Sequence, residues 1–420
     1  MVELDTMPDG LASRCARVDS GVVERVRKKD VQRNRASWTT LSRLRPLMNR
    51  LLQPFVLVVT ALLAVSYAYV AARLASGPWG RGALAIPFLL IWIMPVLYWT
   101  RERDGEESWL DQAAHQASYL SMAWVSFLLV LTLVRDLALL LTAALPLEPA
   151  HALVAQAGVP AVFVASLLAM ALGAFTALRG PRVEEVEVRM PGLHPDLDGL
   201  RIVQVSDLHV GRNIRRAYVE HVVERARDLG PELVALTGDM VDGPVERLAP
   251  HVAPLAALAA GGRAFFVLGN HDCYSGAPAW IAHFREMGMH VLLNEHAVLR
   301  KGAATLLVGG VVDPAYRVER PQISLDDAPS ADFRLLLAHN PKLAPLGARA
   351  GFDLQLSGHT HAGQFVPWTL AIRLVHAPHV AGLSREGLMW VYVSAGTGTW
   401  GPPVRFGTSP EITLIKLARA

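Results

Sequence analysis

Five short segments in the second half of the chain place metal-binding side chains directly after apolar runs. Aspartate, histidine and asparagine recur in them, and imidazole, carboxylate and amide groups are common ligands of divalent metals. In chain order the segments are Ser206-Asp207-Leu208-His209, Thr237-Gly238-Asp239, Leu268-Gly269-Asn270-His271-Asp272, Ala338-His339-Asn340 and Ser357-Gly358-His359-Thr360-His361. A single Asp-x-His pair arises by chance in many chains, whereas five such segments in order predict one shared metal centre.

The elements that position these segments are predicted from short apolar runs, each of which we interpret as a buried strand. The runs are Arg201 to Val205, Leu233 to Leu236, Ala264 to Leu268, Arg334 to Leu337 and Asp353 to Leu356. Helical spacing predicts crossover helices at Arg215 to Leu229, Glu246 to Ala260 and Pro278 to Met287. Loops at the carboxyl ends of neighbouring parallel strands open into one crevice, so ligands that are distant in sequence can meet there.

Later apolar segments predict a second sheet packed on the first, because they read as strands without helical crossovers between all of them. They are Thr305 to Gly310, Leu388 to Val393 and Glu411 to Leu417. A further strand-like segment, Val183 to Met190, lies nearer the apolar half of the chain.

The first half of the chain is much more apolar than the second. Of the 420 residues, 52% are hydrophobic and the mean hydropathy is +0.30, too high for an ordinary soluble protein. We predict four membrane helices at about Leu51 to Ala72, Ala83 to Trp99, Tyr119 to Leu145 and Ala152 to Leu178. The second stretch is short and contains Pro87 and Pro95, so a re-entrant or interfacial segment is the alternative.

The basic residues before the first span predict the orientation of the chain. The first 50 residues are polar and basic, unlike a signal peptide, and such segments stay in the cytoplasm. An even number of spans returns the chain to that side, which predicts a multi-pass inner-membrane protein with a cytoplasmic catalytic half. The predicted parts are a basic tail (1–50), a four-helix transmembrane region (51–178), a juxtamembrane linker with a strand (179–199) and a catalytic domain (200–420).

Two charged residues, Arg135 and Asp136, interrupt the third apolar stretch. A charge at mid-membrane costs about 2.5–3.5 kcal/mol on insertion scales. Adjacent residues do not face each other on a helix, so we expect a partner on another helix or a position near the interface. The alternatives are a structural pair, which we favour, and an intramembrane substrate or ion site.

The five segments resemble the calcineurin-like metallophosphoesterase superfamily, whose pattern is Asp-x-His, Gly-Asp, Gly-Asn-His-Asp/Glu, His and Gly-His-x-His. The resemblance covers about Leu200 to Leu417. Two segments, Gly358 to Gln364 and Trp400-Gly401-Pro402-Pro403, are most similar to the bacterial membrane-attached branch. The chain differs from that branch at Ala362, where the branch normally has Gly, and at Cys273, where it often has Tyr. The resemblance implies an α/β domain with two mixed β-sheets packed face to face and flanked by helices, after an α-helical transmembrane region.

The same resemblance implies that seven of these side chains hold two divalent metal ions. The implied ligands are Asp207, His209 and His361 for one ion, Asn270, His339 and His359 for the other, and Asp239 as the bridge. A shared carboxylate meets a physical need, because two cations about 3.5–4 Å apart repel each other strongly. The ligand types suit Mn, Fe or Zn, and Mg is also possible.

In such a site a metal-bridging hydroxide attacks the phosphorus atom of an ester. We predict that His271 protonates the leaving oxygen or stabilises its charge, and that Asp272 orients that imidazole. A histidine met alone is more often a surface or core residue. Within Gly-Asn-His-Asp, we favour the catalytic interpretation.

The substrate class is predicted from what the motifs lack and from where the domain is attached. The segment Gly238 to Gly243 lacks the Asp-Arg-Gly ending of protein phosphatases, which argues against a phosphoprotein substrate. The second half of the chain also lacks the broad basic pattern of nucleases, which argues against a nucleic-acid partner. Only about 20 residues separate Leu178 from the first core strand. This favours a phosphodiester or pyrophosphate in a lipid or lipid-linked headgroup, such as UDP-2,3-diacylglucosamine. The alternatives are a degenerate metal-binding membrane sensor or scaffold, and a transporter-like bundle regulated by the hydrolase.

Overall fold

The structure, a computed structural model, describes residues 53–92, 109–316, 319–320, 325 and 327–420. The predicted basic tail lies outside the described residues. The described residues 66–92 and those from 109 onward belong to one compact body, and every contact below lies within it. The described helices before the first strand are α1 (Pro54–Leu74), α2 (Gly77–Ile91), α3 (Trp109–Ala144) and α4 (Glu148–Leu178).

Three of these helices, α1, α3 and α4, are long and apolar enough to cross a membrane. The second predicted span corresponds to α2, which has 15 residues and contains Pro87, whereas a crossing helix needs roughly 20. Pro95 and Trp99, in the second half of that predicted span, lie outside the described residues. The count of four spans therefore stays a prediction, as does the re-entrant alternative.

The charged pair in α3 has the partner on another helix that the sequence predicts. The Asp136 carboxylate accepts hydrogen bonds from Arg73 Nε at 2.6 Å and from Tyr69 Oη at 2.7 Å, both on α1. Arg135 also reaches it, at 3.0 Å. The expectation that adjacent residues of one helix do not pair is wrong here, because the Arg135 guanidinium contacts the Asp136 carboxylate directly.

The chain from Arg182 onward forms two mixed six-stranded sheets, which confirms the predicted fold class. The first sheet has the order β1 (Arg182–Met190), β12 (Glu411–Arg419), β2 (Arg201–Val205), β3 (Leu233–Leu236), β4 (Ala264–Phe266) and β5 (His290–Val291). The second has the order β10 (Gly382–Glu386), β11 (Met389–Val393), β9 (Leu354–Ser357), β8 (Phe333–Leu337), β7 (Ala304–Gly310) and β6 (Glu295–Lys301).

Strand direction brings the metal-binding segments to the same edges of the sheets. Strands β2, β3, β4 and β5 are parallel, and so are β7, β8, β9 and β11. The antiparallel pairs are β12 with β2, β6 with β7 and β10 with β11. The loops after β2, β3 and β4 therefore leave one edge of the first sheet, and the loops after β8 and β9 leave one edge of the second.

One hydrophobic core lies between the two sheets, and further cores lie under the helical layer on the outer face of each sheet. Along β2, Ile202 packs between the sheets with Phe265 and Leu335, whereas Val203 packs under the helices. Because both faces are buried, these strands are apolar at successive positions. The covering helices are α5 (Arg216–Asp228), α6 (Val245–Val252) and α8 (Ala277–Glu286) on the first sheet and α9 (Ala344–Ala350) on the second.

Several shorter elements complete the domain. Two helices beside the metal-binding segments are α7 (Asn270–Tyr274) and α10 (Trp368–His376). Short segments of 3-10 helix occur at Pro195–Leu197, Ala253–Leu258, Pro341–Leu343 and His361–Gly363. The predicted helix Glu246 to Ala260 is thus divided into α6 and a 3-10 segment.

The strand predicted within the juxtamembrane linker belongs to the first sheet. Strand β1 pairs in parallel with the C-terminal strand β12 along its whole length, from Arg182 opposite Glu411 to Met190 opposite Arg419. The predicted domain boundary at residue 200 therefore falls inside this sheet. The pairing connects the end of the apolar helices directly to the catalytic half.

Candidate metal centre

Three predicted ligands, from the loops after β2 and β9, form a first buried cluster. His209 Nε2 lies 3.0 Å from His361 Nε2, and Asp207 Oδ1 lies 3.3 Å from the same nitrogen of His361. All three residues are buried. Their nitrogen and oxygen atoms converge on one point. Burial excludes water from these donor atoms, and a divalent cation bound at this point would accept their lone pairs.

The second cluster contains the other predicted ligands. His359 Nδ1 lies 2.9 Å from Asn270 Oδ1 and 3.3 Å from His339 Nε2. Asp239 Oδ2 lies 3.2 Å from His339 Nε2 and 3.8 Å from His209 Nε2, so one carboxylate oxygen faces both clusters. The structure thus brings all seven predicted ligands together, with Asp239 between the two groups.

The donor atoms fit a pair of divalent cations. The first cluster offers two imidazole nitrogens and a carboxylate, and the second offers two imidazoles, an amide oxygen and the shared carboxylate. Mixed nitrogen and oxygen donors of this kind suit Mn, Fe or Zn better than Ca. The shared negative charge lowers the repulsion between neighbouring cations.

Most of these ligands have a backbone conformation that non-glycine residues rarely adopt. Positive φ values occur at Asp207 (53°), His209 (52°), Asp239 (53°), His359 (73°) and His361 (50°). Each such residue costs on the order of 1–3 kcal/mol, so the surrounding contacts must hold it in place. The loops are therefore bent towards the centre at an energetic cost, as functional sites often are.

Hydrogen bonds between different loops hold this geometry. Asp207 Oδ1 accepts the backbone N–H of His359 at 2.9 Å, and Asp239 Oδ1 accepts that of His271 at 2.8 Å. His339 Nδ1 bonds the Thr237 carbonyl at 2.8 Å, which leaves Nε2 facing the cluster. Each loop is thus positioned by the backbone of another loop.

The clustered charges shift the imidazole pKa values in opposite directions. Burial lowers the pKa of His209, but the neighbouring Asp242 and Asp239 carboxylates outweigh it and raise the value to about 9. Burial also opposes protonation of His339, yet Asp239 holds the pKa of His339 well above its ordinary value. By contrast, burial and then the charge of His339 lower the pKa of His359 to about 3. Metal binding must therefore displace protons from His209 and His339.

The structure adds a carboxylate, Asp242, that sequence reasoning missed. Asp242 Oδ1 lies 2.8 Å from His271 Nδ1 and 2.9 Å from His209 Nδ1. Burial opposes its ionisation, but the charges and hydrogen bonds of these two imidazoles hold the pKa of Asp242 well below its usual range. The only signal in the sequence is its position in the same loop, three residues after Asp239.

Asp272, predicted to orient His271, makes different contacts. Its two oxygens accept four backbone N–H hydrogen bonds of 2.8–3.1 Å from the loops after β3 and β4. Burial and the charge of Asp239 raise the pKa of Asp272 to about 7, although the N–H donors act in the opposite direction. Among the described residues the carboxylate against the His271 ring is that of Asp242. The contacts therefore give the orienting role to Asp242 and a loop-fixing role to Asp272.

A buried arginine, Arg405, supports the first cluster from behind. Its guanidinium donates to the carbonyl of His361 at 2.9 Å and to those of Ala395 and Gly398 at 2.7 and 2.6 Å. Burial lowers the pKa of Arg405 to about 10. Arg405 thus ties the loop after β11 to the loop that carries His361. No spacing in the sequence identifies Arg405 as part of the centre.

The opening of the centre has an aromatic rim around His271. The rings of Tyr274 and Trp400 each lie 5.8 Å from the His271 ring, and both residues are exposed. The His271 side chain itself is partly exposed, so a bound ester could reach it. The adjacent Cys273 is half-buried, and burial raises the pKa of its thiol, in agreement with a packing role.

Comparisons with known proteins agree with this centre. Residues 200–363 match the sequence model of the family described as Calcineurin-like phosphoesterase, and this region contains all seven predicted ligands. The chain is 32% identical over 333 residues to a transmembrane protein with metallophosphoesterase domain from Danio rerio, and the match covers 76% of each chain. It is also 32% identical over 252 residues to an uncharacterized metallophosphoesterase from Helicobacter pylori, covering 58% of this chain and 66% of that one.

Solved structures include a calcineurin-like phosphoesterase, YfkN from Bacillus subtilis. It is 14% identical to this chain with a TM-score of 0.36, and the match covers 52% of this chain and 90% of that one. The extended match to the Danio rerio protein and the family match over the ligand-bearing loops establish membership. The chain belongs to the calcineurin-like metallophosphoesterase family.

Proposed function

We propose that this protein is a membrane-anchored, metal-dependent hydrolase of phosphodiester or pyrophosphate bonds in a lipid or lipid-linked headgroup. The observation that carries the proposal is the shared carboxylate of Asp239, whose Oδ2 lies 3.2 Å from His339 Nε2 and 3.8 Å from His209 Nε2. When bound, two divalent cations would supply a water-derived nucleophile near neutral pH and balance charge on the phosphoryl oxygens.

The residues of the chain would position the ester and manage the leaving-group proton. His271 Nδ1 bonds Asp242 at 2.8 Å, which leaves Nε2 free to donate a proton to the leaving oxygen. Trp400 and Tyr274 flank this imidazole, so a leaving group would lie against their rings. A general acid held by a carboxylate contributes typically about 10²–10⁴-fold to the rate.

The position of the centre relative to the apolar helices supports a membrane-bound substrate. Helix α4 ends at Leu178 and β1 begins at Arg182, so the catalytic sheets follow a candidate span almost directly. The Danio rerio relative is named a transmembrane protein. A lipid-linked pyrophosphate such as UDP-2,3-diacylglucosamine combines the required bond and location.

We place the centre on the cytoplasmic face of the inner membrane, because the basic residues before α1 favour that side. Reporter fusions after Leu178 test this placement. A cytoplasmic signal supports it, and a periplasmic signal contradicts it without affecting the chemistry.

The catalytic proposal is tested with the full chain in detergent micelles, loaded with Mn²⁺. The substrates are bis-p-nitrophenyl phosphate and a lipid-linked pyrophosphate in mixed micelles. We expect turnover that a chelator and Asp239→Ala both abolish, with a preference for the lipid-linked substrate. Asp228→Ala, at the exposed end of α5, is the matched control. A metal-loaded protein without turnover, or with turnover unchanged in Asp239→Ala, would instead support a sensor or scaffold.

A further inference from the structure

Helix α10 directs its apolar side away from the protein body. At 3.6 residues per turn, one side of this helix carries four exposed apolar side chains: Trp368, Leu370, Leu374 and Val375. Leu374 is 90% exposed. The buried residue of the helix is polar, His376. A surface helix of a soluble domain has the opposite arrangement, with its apolar side inward. Among the described residues nothing apolar covers these side chains, so an apolar partner beyond them is needed.

The apolar side of α10 begins beside the candidate membrane helices. Trp368 Nε1 lies 3.3 Å from Ser126 Oγ of α3. Phe365, three residues earlier, packs in one buried cluster with Phe127 of α3 and Ala169 of α4. Near this contact, α4 has exposed apolar side chains at Leu167, Leu168, Leu172 and Phe175. The apolar surface of α10 is thus adjacent to a surface that, on a membrane-spanning helix, faces lipid.

The polar side of α10 adjoins the metal centre. The ring of His376 lies 5.2 Å from that of His359, a predicted ligand. At its other end, α10 follows shortly after the turn His361–Gly363, where a Cβ on Gly363 would overlap the backbone of Thr369. The helix is therefore closely packed against the loop that carries two ligands. Any surface on which α10 lies would hold the centre at a fixed height above it.

We propose that α10 is an interfacial helix that inserts its apolar side into the membrane leaflet next to α3 and α4. Interfacial helices bury their apolar side about 5–10 Å into the headgroup and acyl boundary. This depth would bring the metal centre to the phosphates of the lipid headgroups. Arg373, exposed on α10, would meet those phosphates. The inference rests on the proposed membrane location and deepens the proposed substrate class.

Two single-cysteine positions test the insertion in the full chain, with Cys15 and Cys273 replaced by Ser. A nitroxide label is attached at Leu374→Cys or at Leu388→Cys, and the protein is placed in nanodiscs of phosphatidylethanolamine and phosphatidylglycerol. Leu388 is 91% exposed and precedes β11, at the end opposite the metal-centre loops, so it is a matched leucine. We expect the label at 374 to collide with oxygen several-fold more than with a water-soluble nickel chelate, and the label at 388 to show the reverse.

Two outcomes overturn the proposal. Frequent collisions with the nickel chelate at 374 would show that α10 faces water. Rare collisions with both reagents would show that another protein surface, such as a second copy of the chain, covers the helix. Neither outcome depends on catalysis, so failure of the insertion is distinguishable from failure of the proposed function.

A kinetic measurement connects the insertion to the substrate. In Leu374→Asp, we expect the ratio of turnover on a vesicle-embedded lipid diester to turnover on bis-p-nitrophenyl phosphate to fall several-fold, because the charged side chain resists insertion. In Leu388→Asp the ratio stays unchanged. An unchanged ratio in Leu374→Asp contradicts a role of α10 in lipid turnover.

Discussion

At the residue scale, the Asp239 carboxylate uses its two oxygens differently. Oδ1 accepts the backbone N–H of His271 at 2.8 Å, while Oδ2 faces His339 and His209. The bond to Oδ1 fixes the plane of the carboxylate and places Oδ2 between the two clusters. The same bond connects the bridging position to His271, so the proposed general acid and the proposed bridge cannot move independently.

Asp242 is shared by two imidazoles, one in the ligand set and one at the opening. The Asp242 carboxylate orients His271 and makes His209 more basic. The substitution Asp242→Asn removes this charge and therefore both effects. We expect turnover of bis-p-nitrophenyl phosphate to fall about 10–100-fold, as for other partners of metal ligands. The thermal unfolding midpoint should change little, because Asp242 is not fully buried. Steady-state kinetics and a melting curve on the same preparation measure both effects.

For Asp272 we expect the reverse, a larger effect on stability than on turnover, because its carboxylate accepts four backbone N–H hydrogen bonds. In Asp272→Asn, an amide NH₂ replaces one acceptor and faces N–H donors in a fully buried position. We expect a loss of about 1–3 kcal/mol in the free energy of unfolding. Turnover per folded molecule should fall less than in Asp242→Asn. If Asp272→Asn abolished turnover at full stability, the orienting role would return to Asp272.

Proton competition should make metal affinity depend on pH. The pKa of His209 is about 9 in the metal-free chain, so this imidazole is protonated at pH 7 and must lose its proton to bind. The proton displaced from His209 should therefore make the apparent affinity rise by about tenfold per pH unit up to about pH 9. Calorimetry of Mn²⁺ binding in buffers of different ionisation enthalpy counts the protons released. An affinity independent of pH would contradict His209 as a ligand.

At the element scale, the loops after the strands carry the strain of the centre. Gly358 precedes His359, and a Cβ at this position would overlap the Asp207 carboxylate and the Ser206 hydroxyl. We expect Gly358→Ala to displace Asp207 and to lower bound metal and turnover together. Elemental analysis and diester kinetics measure these two quantities.

A glycine far from the metal-binding loops serves as a control that distinguishes displacement of Asp207 from a general loss of stability. Gly192 has φ +74°, with open space where a Cβ would lie. Gly192→Ala should cost about 1–2 kcal/mol of stability and leave metal content unchanged. Equal metal loss in both variants would show that general destabilisation, and not contact with Asp207, explains the effect.

The same loops show why the candidate ligands could be recognised in the sequence. Strands such as Leu233–Leu236 are buried on both faces, so continuous apolar runs mark them, and the polar residues that follow stand out. Asp242 could not be assigned in this way, because its partners come from the loops after β2 and β4. The strands β5, β6 and β10 were also missed. Strand β5 has two residues, and β6 (Glu295–Lys301) and β10 (Gly382–Glu386) are mostly polar.

Two further features could not be predicted from the sequence: a strand pairing between distant segments, and a helix whose apolar side faces outward. The partner of β1 is the last strand of the chain, and no local pattern indicates this pairing. Helix α10 has an apolar side like that of an ordinary packed helix, but the structure turns that side outward. Sequence periodicity shows that such a side exists and does not show what covers it.

At the scale of the whole molecule, two connections join the apolar helices to the candidate metal centre. The first is covalent, from Leu178 into β1 at Arg182. The second is the buried cluster in which Phe365 packs against α3 and α4. Together they restrain the position of the centre relative to these helices. A substrate that diffuses within the membrane would therefore meet the site repeatedly at one height.

The central claim is that two cations share the Asp239 carboxylate. The most direct measurement is an anomalous-scattering map from crystals of the full chain grown with Mn²⁺. We expect two peaks about 3.5–4 Å apart, with Asp239 between them. One should lie beside Asp207, His209 and His361, and the other beside Asn270, His339 and His359. A single peak, or peaks away from Asp239, would contradict it.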